Sequence, residues 1–135
     1  MRLTLIGYWF GPAEEGWPNA HDFVDVDWNR AERAEVIGWL EAGRLALKYR
    51  GYSRCRFCGC LNGTSLLSDG TYVWPDGLAH YLRDHGVRLP AAVVRHVLSR
   101  PSIDQSQIDQ AIADDDVDTE SWRRQLPEWS HPEVS

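Results

Sequence analysis

Apolar and polar positions change rhythm several times along the chain, and each change predicts an element. The opening "LTLIGYWF" is dense in strand formers and predicts a strand from Arg2 to about Trp9. A loop containing Gly and Pro follows, "GPAEEGWPNAHDF", long enough that it must either pack through Trp17 and Phe23 or move. In "DVDWNRAERAEVIGWLEAG" the period becomes helical. Asp27 is placed to cap the start, Gly43 to follow the end, and Ala34 with Val36 or Ile37 and Leu40 makes the apolar side. Strict alternation returns in "RLALKYR", where Leu45, Leu47 and Tyr49 oppose Arg44, Lys48 and Arg50, the pattern of a half-buried strand.

Beyond residue 60, Thr64–Leu67 and Thr71–Trp74 flank Ser68-Asp69-Gly70, which predicts a hairpin. Pro75 suits the first turn of a helix and Gly86 its end, so "DGLAHYLRDH" forms a short helix between them. A second short helix is expected from Pro90 to before Pro101. The segment from Pro101 onward predicts a thin amphipathic helix capped by Ser102, with Ile103, Ile108, Ala111 and Ile112 on its apolar side and the acids 114–116 at its end. The remaining residues dock through Trp122, Leu126 and Trp129 or stay loose. These elements imply an α+β fold: a small antiparallel sheet with several short helices around a zinc-stapled hairpin and helix. The expected organisation is a zinc-containing domain over residues 1–100 and an acidic, partly helical extension over 101–135.

Composition sharpens this picture in two places. The net charge of −6 is unevenly spread. Residues 1–42 carry three arginines against eight carboxylates, 43–100 nine basic residues against three, and 101–135 two against nine. A basic middle between acidic flanks can attract an anion or be satisfied internally. Three cysteines, all within residues 55–60, fit a metal site in a reducing compartment better than a disulfide framework. With neither a membrane-length apolar run nor a secretory leader in view, the expected setting is the cytoplasm, with no membrane partner. The seven tryptophans read as anchors of loops and core.

The chemistry concentrates in "CRFCGC" and "HYLRDH". Cys55 and Cys58 are separated by two residues, His80 and His85 by four, and the pairs by 21. Zinc takes four nitrogen or sulfur donors in a tetrahedron, commonly a cysteine pair on a turn and a histidine pair on a helix. Five positions advance an ideal helix about 140° past a full turn, so the helix is expected to loosen at His85 for both rings to reach one ion. Cys60 could replace a ligand or fill a small apolar space, and the spacing favours the space-filler. A redox role for the cysteine pair lacks the helix that such motifs open.

This stretch of 55–85 resembles the two-Cys, two-His zinc finger pattern, and the resemblance implies a bound zinc held by Cys55, Cys58, His80 and His85. Four protein donors close the shell, which points to a structural ion rather than a catalytic one. Zinc deaminases carry their cysteine and histidine motifs in the opposite order, and no nucleophile elbow or phosphate loop is present. The residues therefore argue against an enzyme and for a protein that binds another macromolecule, with a protein partner ahead of nucleic acid. In the nucleic-acid alternative, Arg44, Lys48, Arg50, Arg54 and Arg56, interleaved with Tyr49, Tyr52 and Phe57, contact phosphates and bases, and the acidic tail is autoinhibitory. A zinc hydrolase with an open coordination position is the third alternative.

Overall fold

In the computed structural model, which describes residues 2–12, 14–49 and 51–129, five short strands form one sheet. They are β1 (Leu3–Leu5), β2 (Arg44–Lys48), β3 (Ser65–Ser68), β4 (Tyr72–Pro75) and β5 (Val117–Asp118), in the spatial order β2-β3-β4-β1-β5. β2, β3 and β4 are antiparallel neighbours, whereas β1 runs parallel to both β4 and β5. The fold is α+β, with a mixed sheet whose antiparallel part is the three strands leading toward the cysteines and histidines.

Five helices accompany the sheet: α1 (Arg30–Glu41), α2 (Leu78–His85), α3 (Ala91–Leu98), α4 (Gln105–Ala113) and α5 (Glu120–Arg123). Trp74 of β4 is fully buried and packs on α1. Its ring lies 4.2 Å from that of Trp39 and its indole N–H donates to the Leu40 carbonyl at 3.2 Å. That core continues through Leu78, Leu82, Val93 and Val97, and through Trp9, Phe23 and Trp122. A smaller cluster of Leu3, Leu5, Leu66, Val73 and Ala111 packs α4 against the sheet. Alternate residues of β4 thus serve two cores, because neighbouring side chains in a strand point to opposite faces.

Several boundaries differ from expectation for identifiable reasons. The first strand stops at Leu5. Ile6 N–H still donates to Val73, but Gly7 then takes φ +85°, and a Cβ there would stand 2.7 Å from a Leu78 methyl. Only glycine fits that turn. The long loop packs, with Phe23 buried and Trp17 edge-on to Tyr8 at 5.0 Å. α1 is capped by Asn29, whose side chain accepts from Glu32 N–H, rather than by Asp27. Trp28 is buried just before it and donates to Glu32, so the chain enters the helix only after that anchor is seated. Val36 and Leu40 form the buried face, and Ala34 is exposed. Gly43 follows α1 because a Cβ would meet the Trp74 ring at 2.5 Å, not because the backbone is left-handed.

β2 departs most. Leu45 pairs with Leu67 and Leu47 with Leu66, so Ala46 is an extra residue and the leucines face opposite sides of the sheet. As the edge strand, β2 leaves Leu45 51%, Leu47 40% and Tyr49 45% exposed. The hairpin forms as expected, with Gly70 at φ +96°. Pro75 closes β4 rather than opening α2, and Gly86 follows His85 in the left-handed conformation that ends a helix. Asp104, not Ser102, caps α4, accepting from Ser106 and Gln107, and the helix ends before Asp114. After it, β5 joins β1 and Trp122 is buried, its indole donating to the Tyr8 carbonyl at 2.7 Å, while Leu126 stays exposed.

Candidate metal centre

The cysteine segment folds into a knuckle through its own backbone. Cys55 N–H donates to the Cys60 carbonyl at 3.0 Å, Gly59 N–H returns to the Cys55 carbonyl at 2.9 Å, and Phe57 N–H points to the Cys55 sulfur at 3.4 Å. Gly59, at φ +73°, supplies the reversal. The knuckle is tied to α2 by the Tyr81 hydroxyl, which accepts from Arg56 N–H at 2.9 Å. α2 in turn is fixed by Leu78 and Leu82 in the core. The helical half of the site is thus set by the core, whereas the knuckle is joined to it by that one hydroxyl contact.

Across this joint one ligand atom from each of Cys55, Cys58, His80 and His85 lies within 4.8 Å of the others. The sulfur of Cys58 is 3.5 Å from Nε2 of His80. Two donors on one tetrahedral zinc, at about 2.3 Å for sulfur and about 2.1 Å for nitrogen, are separated by about 3.5 Å. The pair already has the spacing that a shared ion requires.

The histidines are prepared differently. Asp84, one turn after His80, holds its Nδ1 at 2.8 Å, which leaves Nε2 directed at the cysteines. A carboxylate behind a ligating imidazole fixes its tautomer and raises its basicity. His85 stacks on Phe57, with ring centroids 4.6 Å apart and planes 8° from parallel, and its Nε2 is buried without a hydrogen-bond partner. An unsatisfied buried nitrogen costs about 1–3 kcal/mol, and a metal ion is the partner that the surrounding donors would share with it. The helix does not unwind before His85. It remains helical to that residue and ends there, and the two imidazoles meet edge to face with centroids 4.9 Å apart.

Hydrogen bonds from the Cys60 backbone and thiol, and then from His80 and His85, pull the Cys58 thiol down to about 6. The same Cys58 contact, with some desolvation, pushes Cys60 up. A thiolate that is stable near neutral pH is the form that ligates zinc. Donor type, the Cys58–His80 spacing and the Asp84 contact behind His80 fit zinc.

Asp84, Phe57 and Tyr81 were not foreseen as parts of the site. Only Asp84 left a readable signal, a carboxylate four positions after a histidine in a predicted helix. Cys60 is corrected. It fills no apolar space but is exposed, with its sulfur 3.5 Å from Nε2 of His80. Replacing Asp84 with Ala is expected to weaken zinc binding about 10- to 100-fold, read by competition with a chromophoric chelator. Unchanged affinity would show that the carboxylate has no part in the site.

The basic residues divide into two groups. Arg44 and Lys48 stand exposed on β2 with no ion-pair partner among the described residues. Arg50 lies outside the described residues. Arg54 donates to the Gly59 carbonyl at 3.0 Å but is otherwise exposed. Arg56 is absorbed by the fold, donating to the carbonyls of Phe10 and Arg54 and lying 3.6 Å from Glu14. A cleft of about 340 Å³ opens beside the knuckle, lined among others by Tyr8, Tyr49, Tyr52, Arg54 and Tyr81. The hydroxyls of Tyr8 and Tyr49 meet across it at 2.5 Å. Among the described residues, the ion pairs made by acids after Pro101 are Asp116 with Arg2 and Glu120 with Arg123, and none reaches the basic strand.

No family model matches the chain, and comparison with curated proteins and with solved structures returned no match.

Proposed function

We propose that this chain is a non-enzymatic cytoplasmic protein in which a structural zinc, held by Cys55, Cys58, His80 and His85, fixes a surface that binds another protein. Convergence of four donors from the knuckle and α2 carries the structural reading. Four side chains fill a tetrahedral shell and leave no position for the water that a zinc hydrolase activates. The three thiols are free, which suits a reducing compartment. No helix among the described residues is long and apolar enough to cross a membrane.

The partner is inferred from the exposed edge that runs from β2 to the knuckle. Of nine large hydrophobic residues left exposed among the described residues, five fall in one stretch: Leu45, Leu47, Tyr49, Tyr52 and Leu61. Leu45 and Leu47 lie on the sheet-edge strand with Arg44 and Lys48, which make no ion pair among the described residues; Tyr49 and Tyr52 lie on the segment that follows it, and Leu61 opposite Arg54 at the base of the knuckle. A strand edge with open backbone groups, exposed aliphatic side chains and free positive charge fits an extended protein segment that carries acidic and apolar residues. Nucleic acid would use the tyrosines and cations of the same edge but gains nothing from the leucines.

Substituting both Leu47 and Leu61 with Asp tests this. Both side chains are already exposed, so the fold is expected to survive, checked by its melting curve. A protein that co-purifies with the wild type from its native cell, and whose binding is weakened at least about tenfold by the double substitution, supports the reading. Binding that is instead abolished by nuclease or by moderate salt, and spared by the substitutions, supports nucleic acid. Deleting the chain from Pro101 is not a clean alternative, because it would remove β5 from the sheet and Trp122 from the core.

A further inference from the structure

The knuckle offers zinc one sulfur more than its shell needs. Cys60 lies at the same 3.5 Å from Nε2 of His80 as Cys58 does, which is the separation of two donors on one zinc. Its position is not accidental to the turn. The Cys60 carbonyl is the acceptor that closes the knuckle onto Cys55 N–H, and Gly59 at φ +73° swings residue 60 back toward the histidines with open space around it. Cys60 is exposed and packs into no core, so filling space does not account for it.

We propose that Cys60 is a reserve ligand, a third thiolate that enters the shell when His85 leaves it. This inference rests on the metal reading above. The zinc then has two ligand sets, two cysteines with two histidines or three cysteines with His80. The exchange breaks the bond from zinc to the His85 ring and forms one from zinc to the Cys60 sulfur, whose proton passes to solvent or to the freed imidazole. His85 is the member that can go, because it stands at the last helical residue, directly before Gly86 in the left-handed conformation. His80 is held in place by Asp84. Cys55 is buried in the core and both its backbone groups are used by the knuckle, so it stays. A softer, thiophilic ion such as cadmium favours the set richer in sulfur. Ligand exchange gives the metal a route onto and off the protein through the exposed side of the knuckle, without unfolding it.

Cobalt(II) substitution of the full-length protein tests this, since the intensity of the sulfur-to-cobalt charge-transfer band reports the number of thiolates bound. The wild type and Cys60→Ser are expected to give the same two-thiolate spectrum. His85→Ala is expected to keep one metal per chain while its band rises by about half, to the three-thiolate level. Combining His85→Ala with Cys60→Ser is expected to return the band to two thiolates and to weaken metal binding at least about tenfold relative to His85→Ala alone. A two-thiolate band in His85→Ala that shifts on adding azide shows an open position that Cys60 does not fill, and overturns the proposal. A three-thiolate band in the wild type overturns it as well, by making Cys60 a resident ligand. A wild type that binds no metal overturns the zinc reading, and this inference with it, whereas the other outcomes leave that reading standing.

Discussion

Stripping the metal is expected to lower the melting temperature by roughly 15 °C, with the knuckle losing its order before the rest of the chain. The size follows from linkage. An ion present at a thousand times its dissociation constant stabilises the folded state by about 4 kcal/mol. A chain of this length melts about 4 °C lower for each kcal/mol lost. The order of loss follows from packing. Residues 51–62 bury one side chain, Cys55, and are otherwise held by a few backbone hydrogen bonds and the Tyr81 hydroxyl. Without the ion, His85 keeps an unsatisfied buried nitrogen. The sheet and the Trp74 core do not depend on the metal in this way. Amide exchange measured after chelation should therefore show protection lost over residues 53–62 and retained in β4 and α1. A melting curve unchanged after metal removal, with the removal verified by elemental analysis, would end the structural role.

Asp69→Ala is expected to cost about 3–5 kcal/mol, more than most single substitutions in this chain. Its carboxylate is 1% exposed and serves four donors. One oxygen accepts from Thr71 N–H and Tyr72 N–H, both at 2.9 Å, and shapes the hairpin turn. The other takes the Trp39 indole of α1 at 3.3 Å and Nε2 of His96 in α3 at 2.6 Å. One side chain thus joins the β3–β4 hairpin to two helices, and removing it leaves buried donors with nothing to bond. Asp69→Asn keeps the turn contacts and should lose less, since its amide can meet the ring nitrogen of His96 in one tautomer. Urea unfolding measures both. A loss under about 1 kcal/mol for the alanine variant would show that water replaces the carboxylate.

How far the sequence could be read depended on how local each interaction is. The grouping of Cys55, Cys58, His80 and His85 was legible because chelating residues recur at a fixed short spacing, and the hairpin because turn residues sit between two runs of strand formers. The helices were legible as elements, though their caps shifted where a buried tryptophan claimed the approach, as Trp28 does before α1. The facing of β2 was not legible. Alternation placed Leu45 and Leu47 together, but the extra residue at Ala46 is set by the register of β3, which the local pattern does not contain. Asp69 read as a turn former and is also the junction of three elements. Arg56 read as a surface cation, but the Phe10 carbonyl and Glu14, more than forty residues upstream, have captured it.

The parallel placement of β1 also bears on the order in which the protein is made. β1 is synthesised well before its two neighbours, about seventy residues ahead of β4 and more than a hundred ahead of β5. The Tyr8 carbonyl likewise waits for the indole of Trp122. At about 5–20 residues per second, the N-terminal segment spends several seconds as an apolar stretch without its partners. Closing loops of that length is slow, so nascent chains stalled before residue 117 should be the ones that chaperones hold.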